Sequence, residues 1–390
     1  MTLSANSEMG YDDNVLRQQT NPLGSRLLVV TPRVGYSIQA GGGLYTLGYE
    51  LNRSEYLDSG QDSSTTQNLS LSVDQKLNSS NKVTVAGSYN HSYEGRGVGF
   101  NEGSNALSLS SPTPLVTEAL SGKYQLGSDR ATMRLIGSLG YMKSDRASPS
   151  IANDSRDYHV DSMGALMEYR VGSRTDLVAE WRDNQTSYDR TPVASDGTET
   201  PLDSDEQLYL IGLDLAATAK TSGKLRVGTS KRDFKWKSAQ WEDAKTAATT
   251  PAATVTTVRF PNDTGGEFYW EFSAAWSPRA YAKFEFNTRT STREALGVGS
   301  FVRVRDYSLS WSHLWKARLH SKLDFTIGND TYVDSSRVDK RKAYNARLEY
   351  DFNSLLTLGF GYRYQQMISN AGNVGFDKSV YYIFANYYNK

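Results

Sequence analysis

No cysteine occurs in the 390 residues, which excludes disulfide scaffolds, thiolate metal sites and cysteine nucleophiles. Neither sign of charge dominates. The 43 Lys and Arg stand against 43 Asp and Glu, so no broad basic field is left to recruit nucleic acid, and none is expected as a partner. Long apolar runs are missing too: mean hydropathy is −0.56, and no run of about 18 apolar residues is available for a membrane-spanning helix. The opening MTLSANSEMGYDDN has no charged stretch followed by an apolar one, so a secretory leader is expected to have been removed ahead of it. Histidine is scarce. His91, His159, His313 and His320 lie in separate segments, none at zinc-helix spacing, and no hydrolase-type Ser turn occurs. No metal, cofactor or catalytic residue is expected, and the chain reads as a non-enzyme.

What the chain does have is alternation. In RAYAKFEFNTRTSTRE, Ala280, Ala282, Phe284 and Phe286 share one parity, while Lys283, Glu285, Asn287 and Arg289 share the other. A period of two is that of a β-strand, because successive side chains point to opposite faces. Charges in the middle of the strand require that face to be wet or ion-paired. The same pattern recurs from Tyr45, Leu47 and Tyr49 through Leu69 to Val73, Met133 to Leu139, Leu177 to Trp181, Phe268 to Trp276, Leu323 to Ile327, Tyr344 to Tyr350 and Leu356 to Tyr364. In the last segment, Tyr381, Tyr382, Ile383 and Phe384 are consecutive and leave the face assignment open. Tyrosine is abundant, with 25 Tyr against 13 Phe and 7 Trp, which suits strands passing from an apolar zone to a wet one.

The connections alternate between two kinds. Eight are short and rich in turn formers (QAGGG, NSSN, GSDR, VGSRT, KTSG, SPR, KAR and NSL). Nine longer polar segments separate them, the largest from Glu94 to Leu115 and from Ser238 to Gly266. A soluble sandwich or propeller also alternates, but its strands are shorter and it has no reason to alternate long and short connections. Eight turns and nine loops predict about eighteen antiparallel strands with both termini on the short-turn side. The expected architecture is all-β: one transmembrane up-and-down barrel over residues 1–390, with short periplasmic turns and long extracellular loops. A barrel of this size leaves an aqueous channel if nothing fills it.

In that frame the inward parity carries charges of both signs: Glu50, Asp74, Lys76, Lys123, Arg134, Glu168, Arg170, Glu180, Arg182, Arg226, Glu271, Lys283, Glu285, Arg289, Asp324, Arg347, Glu349 and Arg363. Acid and base on neighbouring strands can simply pair across the wall. They can equally line a hydrated passage whose balance suits a neutral or weakly charged polar solute. Rings such as Tyr269 offer stacking surfaces for sugars. Two short motifs carry less. GRGVGF at Gly95 to Phe100 has no helix after it to make a phosphate site and reads as a flexible extracellular loop. YDDN at Tyr11 to Asn14 lacks the rest of a calcium loop and reads as a polar turn.

The stretch NSEMGYDDNVLRQQ, with Gly10 to Asn14, then Pro32, Tyr36 and the Tyr-rich hairpin through Tyr56, resembles the start of a family of β-barrel porins encoded in bacterial exopolysaccharide operons. The ending YYIFANYYNK departs from that family, since Lys390 follows the aromatics. The resemblance implies a Gram-negative outer-membrane pore through which a secreted polysaccharide leaves, with membrane lipid, the saccharide, and periplasmic export proteins as partners. A general or oligosaccharide-selective diffusion porin is the alternative, and an adhesive barrel using Glu94 to Leu115 and Ser238 to Gly266 as a binding surface is a third.

Overall fold

Alternating sequence becomes strand wherever one parity can be buried in an apolar medium and the other in water. The computed structural model describes residues 1–147, 155–193, 198–218, 220–236, 258–295 and 298–389. Its strands are β1 (Thr2–Asp12), β2 (Ser25–Ala40), β3 (Gly43–Tyr56), β4 (Ser64–Lys76), β5 (Asn81–Glu94), β6 (Thr113–Leu126), β7 (Met133–Arg146), β8 (Tyr158–Arg170), β9 (Thr175–Tyr188), β10 (Ser204–Thr218), β11 (Thr221–Phe234), β12 (Thr264–Arg279), β13 (Ala282–Glu294), β14 (Phe301–Lys316), β15 (Leu319–Tyr332), β16 (Val338–Asp351), β17 (Leu356–Ser369) and β18 (Phe376–Asn389). Each pairs antiparallel with its neighbours in sequence, and β1 pairs with β18, so the 18-stranded sheet closes on itself. The eight expected turns all fall between strands on one side. Of the segment from Ser238 to Gly266, residues 238–257 lie outside the described residues, as does Lys390.

The outward parity is apolar in every sector. Leu28, Val34, Leu47, Leu71, Leu120, Leu139, Met163, Ile211, Phe268, Leu309, Leu348, Phe360 and Ile383 are all large and exposed. Rings edge this belt. Trp276, Trp315, Tyr350 and Tyr387 lie towards the short turns, and Tyr11, Tyr141, Tyr209, Tyr307, Tyr344 and Tyr381 towards the loops. From Tyr307 to Trp315 on β14 is eight residue steps, about 26 Å along the strand and about 20 Å of height at a tilt of about 40°. That spans most of the roughly 25 Å of an outer-membrane apolar band. The ambiguous last strand is settled by its register: Tyr381 opposes Tyr362 and Ile383 opposes Phe360 on the outside, so Tyr382 and Phe384 point inward.

The wall bends sharply in two places. A Cβ on Gly212 or Gly228 would strike the facing carbonyl oxygen of β11 or β10, and one on Gly10 would strike the Tyr381 carbonyl of β18. All three glycines sit on the inward parity, where a tight bend brings neighbouring backbones together. The two edges, β10/β11 and β18/β1, are separated by eight strands one way round the ring of eighteen and ten the other, close to half a turn. Each is packed inside with apolar side chains: Leu208, Leu210 and Tyr269 at one, Leu27, Val380, Tyr382 and Phe384 at the other. The lumen is therefore pinched at opposite edges, and its open space lies between them.

Candidate functional site

The belt takes one parity, so the site is built from the other. On β7 to β9, near the short turns, Arg134 donates to Glu168 at 2.6 Å and to Asp176 at 2.9 Å, and Arg170 donates to the second Asp176 oxygen at 2.9 Å. Further up the wall Arg182 donates to Glu180 at 2.7 Å and forks onto both oxygens of Glu271, three strands away, at 2.8 and 3.3 Å. The reach is possible because the β10/β11 edge folds β9 and β12 towards each other. Arg226 donates to Asp214 at 2.6 Å and lies 3.5 Å from Glu180. Forked arginine contacts of this kind are among the stronger and more directional polar interactions.

The remaining candidates are spread around the ring. Arg33 donates to Glu50, and Asp74 accepts from Thr84 at 2.6 Å and lies 3.0 Å from Lys82. Lys283 is 2.8 Å from Glu285, and Arg347 is 3.1 Å from Glu349. Asp324 accepts from Ser310 at 2.5 Å and Asn345 at 3.1 Å. Arg363 donates to Glu8 at 2.5 Å, and Arg363 and Arg347 lie 4.2 Å over the rings of Tyr382 and Phe384. Lys76, Lys123 and Arg289 share the inward parity, but their side chains have no hydrogen-bond or ion-pair partner among the described residues. The wall thus neutralises most of its own charge in pairs. Several partners (Glu8, Arg33, Asp176, Asp214, Asp306 and Arg341) were not singled out from sequence, although extending each strand's parity by a few residues would have reached them.

One expectation is corrected. Tyr269 is only 7% exposed; its ring packs with Leu208 and Leu210 and its hydroxyl donates to Glu271 at 2.6 Å. No face is left for a sugar to stack on. The four histidines stay apart: His91 edges Tyr93, His159 lies 3.7 Å from Asp189, His313 sits among Tyr281, Trp311 and Trp315, and His320 is 2.6 Å from Asp351.

The loop between β5 and β6 changes the picture of the mouth. It contains a turn of 3-10 helix and the short helix α1 (Asn105–Ser108), and it crosses the opening. Glu102 accepts from Arg337, just before β16, a strand seven places from β5 by the shorter way round the ring. Arg337 also donates to Asp339 at 2.6 Å. At its root the loop is held by Arg96, which forks onto Asp62 at 2.7 and 2.6 Å, with side chains 5% and 4% exposed. Gln18 donates to the Gly103 carbonyl at 3.0 Å, and Val15, Leu16 and Ala106 form an apolar contact. The glycines of GRGVGF serve packing here: Gly97 has φ 82° and lies against the Leu16 carbonyl. The reading of this stretch as a flexible outer loop is therefore replaced by an anchored strut.

Other loops join it. Arg156 donates to the Ala295 carbonyl at 2.6 Å and lies 5.7 Å over the Phe100 ring; burial pushes its guanidinium below the ordinary value. Asp334 accepts from Asn262 and Ser300, and although burial works against its charge, these hydrogen bonds hold its carboxyl below the usual range. The YDDN motif closes the seam. Lys378 lies 2.6 Å from Asp12, Asn14 donates to the Asp377 carbonyl at 2.7 Å, and Ser379 N–H donates to Asp13 at 2.7 Å. Its carboxylates tie β1 to β18, and no group of metal-ligating side chains occurs among the described residues.

Residues 267–386, most of β12 through β18, match the family described as "Putative beta-barrel porin 2". The stretch from Gly10 to Tyr56 that carries the resemblance noted above lies outside the matched residues. No curated protein matches the chain. Among solved structures, OpdQ of Pseudomonas aeruginosa is similar at 10% identity and a TM-score of 0.49, over 100% of this chain and 97% of that one. A bacterial polysaccharide outer membrane secretin is similar at 10% identity and a TM-score of 0.37, over 100% and 98%. The siderophore receptor PirA from Acinetobacter baumannii is similar at 7% identity and a TM-score of 0.47, over 100% and 80%. The closed wall, the ring-edged apolar belt and the match over the last seven strands converge on a bacterial outer-membrane β-barrel, similar in those strands to a family of porins.

Proposed function

We propose that the barrel is a conduit for a hydrophilic saccharide polymer, exporting an exopolysaccharide across the outer membrane with periplasmic export proteins behind it. The observation that carries this reading is the inner wall of paired charges. Glu50, Asp74, Glu168, Glu180, Glu271, Asp324 and their basic partners present polar groups of both signs without a strong field of either. A hydroxyl-rich chain can exchange hydrogen bonds along such a surface without being held at one point. Deleting the gene should leave polymer made but retained; unchanged secretion would overturn the export reading.

The strut across the mouth favours a second reading, an oligosaccharide-selective diffusion porin, because it narrows the way for a polymer more than for a short sugar. Uptake of graded oligosaccharides into liposomes separates the two. The adhesive alternative draws less support, since the first of the two loops it invokes, Glu94 to Leu115, turns to Arg337 and Asp62, and most of the second lies outside the described residues.

A further inference from the structure

Beside the β10/β11 edge, a cavity of about 730 Å³ opens into the lumen, lined from β8 and β9 on one side and β11 to β16 on the other. Five basic side chains line it (Arg182, Lys224, Arg226, Arg289 and Arg341) against three acids, Glu180, Glu271 and Asp306. The acids are already engaged. Glu180 takes Arg182 and Arg226, Glu271 takes both terminal nitrogens of Arg182 and the Tyr269 hydroxyl, and Asp306 takes Arg341 at 2.8 Å.

Arg289 is the exception. Its backbone is paired on one side with Glu271 and on the other with Asp306, the two carboxylates that would neutralise it. Both have been taken by other guanidiniums, so Arg289 stands exposed in the cavity with no side-chain partner among the described residues. A guanidinium carries five N–H donors in a rigid plane, a shape that accepts a carboxylate through two parallel hydrogen bonds. Around it are hydroxyls and an amide that suit sugar hydroxyls: Ser273, Asn287, Ser308 and Thr326. The volume is that of a small-molecule pocket.

The geometry points to Arg289 as a docking point for the carboxylate of an acidic saccharide unit, with the neighbouring hydroxyls reading the sugar ring. This rests on the conduit reading and sharpens it: the solute carries carboxylates, and Arg289, the one lining guanidinium without a wall carboxylate among the described residues, holds each one briefly. Arg182, Arg226 and Arg341 cannot serve in its place, because each is already bound to wall carboxylates.

The test titrates the purified barrel in detergent with trigalacturonate and with maltotriose by calorimetry. Wild type should bind the acidic trisaccharide about tenfold more tightly, the worth of one good charge-assisted contact. Arg289→Gln should bring the two within about threefold. Arg289→Lys keeps the charge without the fork and should lose most of the preference. Equal binding of the two sugars by wild type, or a preference unchanged in Arg289→Gln or fully kept in Arg289→Lys, overturns the site. Maltotriose uptake into liposomes is measured alongside for wild type and Arg289→Gln. Passage in both, with no acidic preference, sinks the site alone; no passage in either, with the preference intact, sinks the conduit reading and leaves the site standing.

Discussion

Gly361 on β17 and Tyr382 on β18 face each other inside the barrel, and a Cβ on the glycine would run into the tyrosine ring. The ring lies flat because the glycine has no side chain, and Arg363 then covers it at 4.2 Å. A valine there must displace a buried ring, at a cost of about 1–3 kcal/mol. We expect Gly361→Val to lower the temperature at which the folded band is lost in unheated gel electrophoresis, while Gly137→Ala, whose Cβ would meet open space, leaves it unchanged. Equal behaviour of the two variants would remove the packing argument. From sequence, the consecutive Tyr381 to Phe384 could not be assigned to faces, because four apolar residues in a row satisfy either parity. Only the pairing of Tyr362 with Tyr381 decides it.

Strands and turns were readable for a simple reason. Period-two alternation is local, and a lipid-facing parity tolerates few interruptions, so the eight turns and the inward positions of Arg134, Glu180 and Arg226 follow from short windows of sequence. The strut was not readable. Glu102 and Arg337 are 235 positions apart, and nothing near either residue announces the other. The same holds for Arg96 and Asp62, whose mutual burial depends on two loops meeting. If the strut narrows the passage, placing a positive charge against Arg337 should release it. We expect Glu102→Arg to raise single-channel conductance at least about twofold, and the charge swap Glu102→Arg with Arg337→Glu to bring it back towards wild type. Conductance that ignores both changes would mean that the loop does not set the opening.

At the scale of the whole molecule, the belt constrains the wall more strictly than the lumen does. Leu139 points outward and is among the most exposed of the large apolar side chains, whereas its neighbour Ser138 points inward. Arginine in the middle of the lipid face costs about 2–4 kcal/mol, while inward positions tolerate charge. Leu139→Arg should therefore insert poorly into liposomes and Ser138→Arg should insert normally; the reverse order, scored by protease protection, would invert the assignment of faces.

The seam has a consequence for how such a chain matures. Asp12, 1% exposed, sits on β1, and its cation Lys378 sits on β18, the strand whose docking closes the ring. A barrel in which β18 has not docked leaves that acid without its cation and β1 with an open sheet edge. The latch thus couples closure of the ring to neutralisation of a buried charge: β1 is satisfied only once β18 lies beside it.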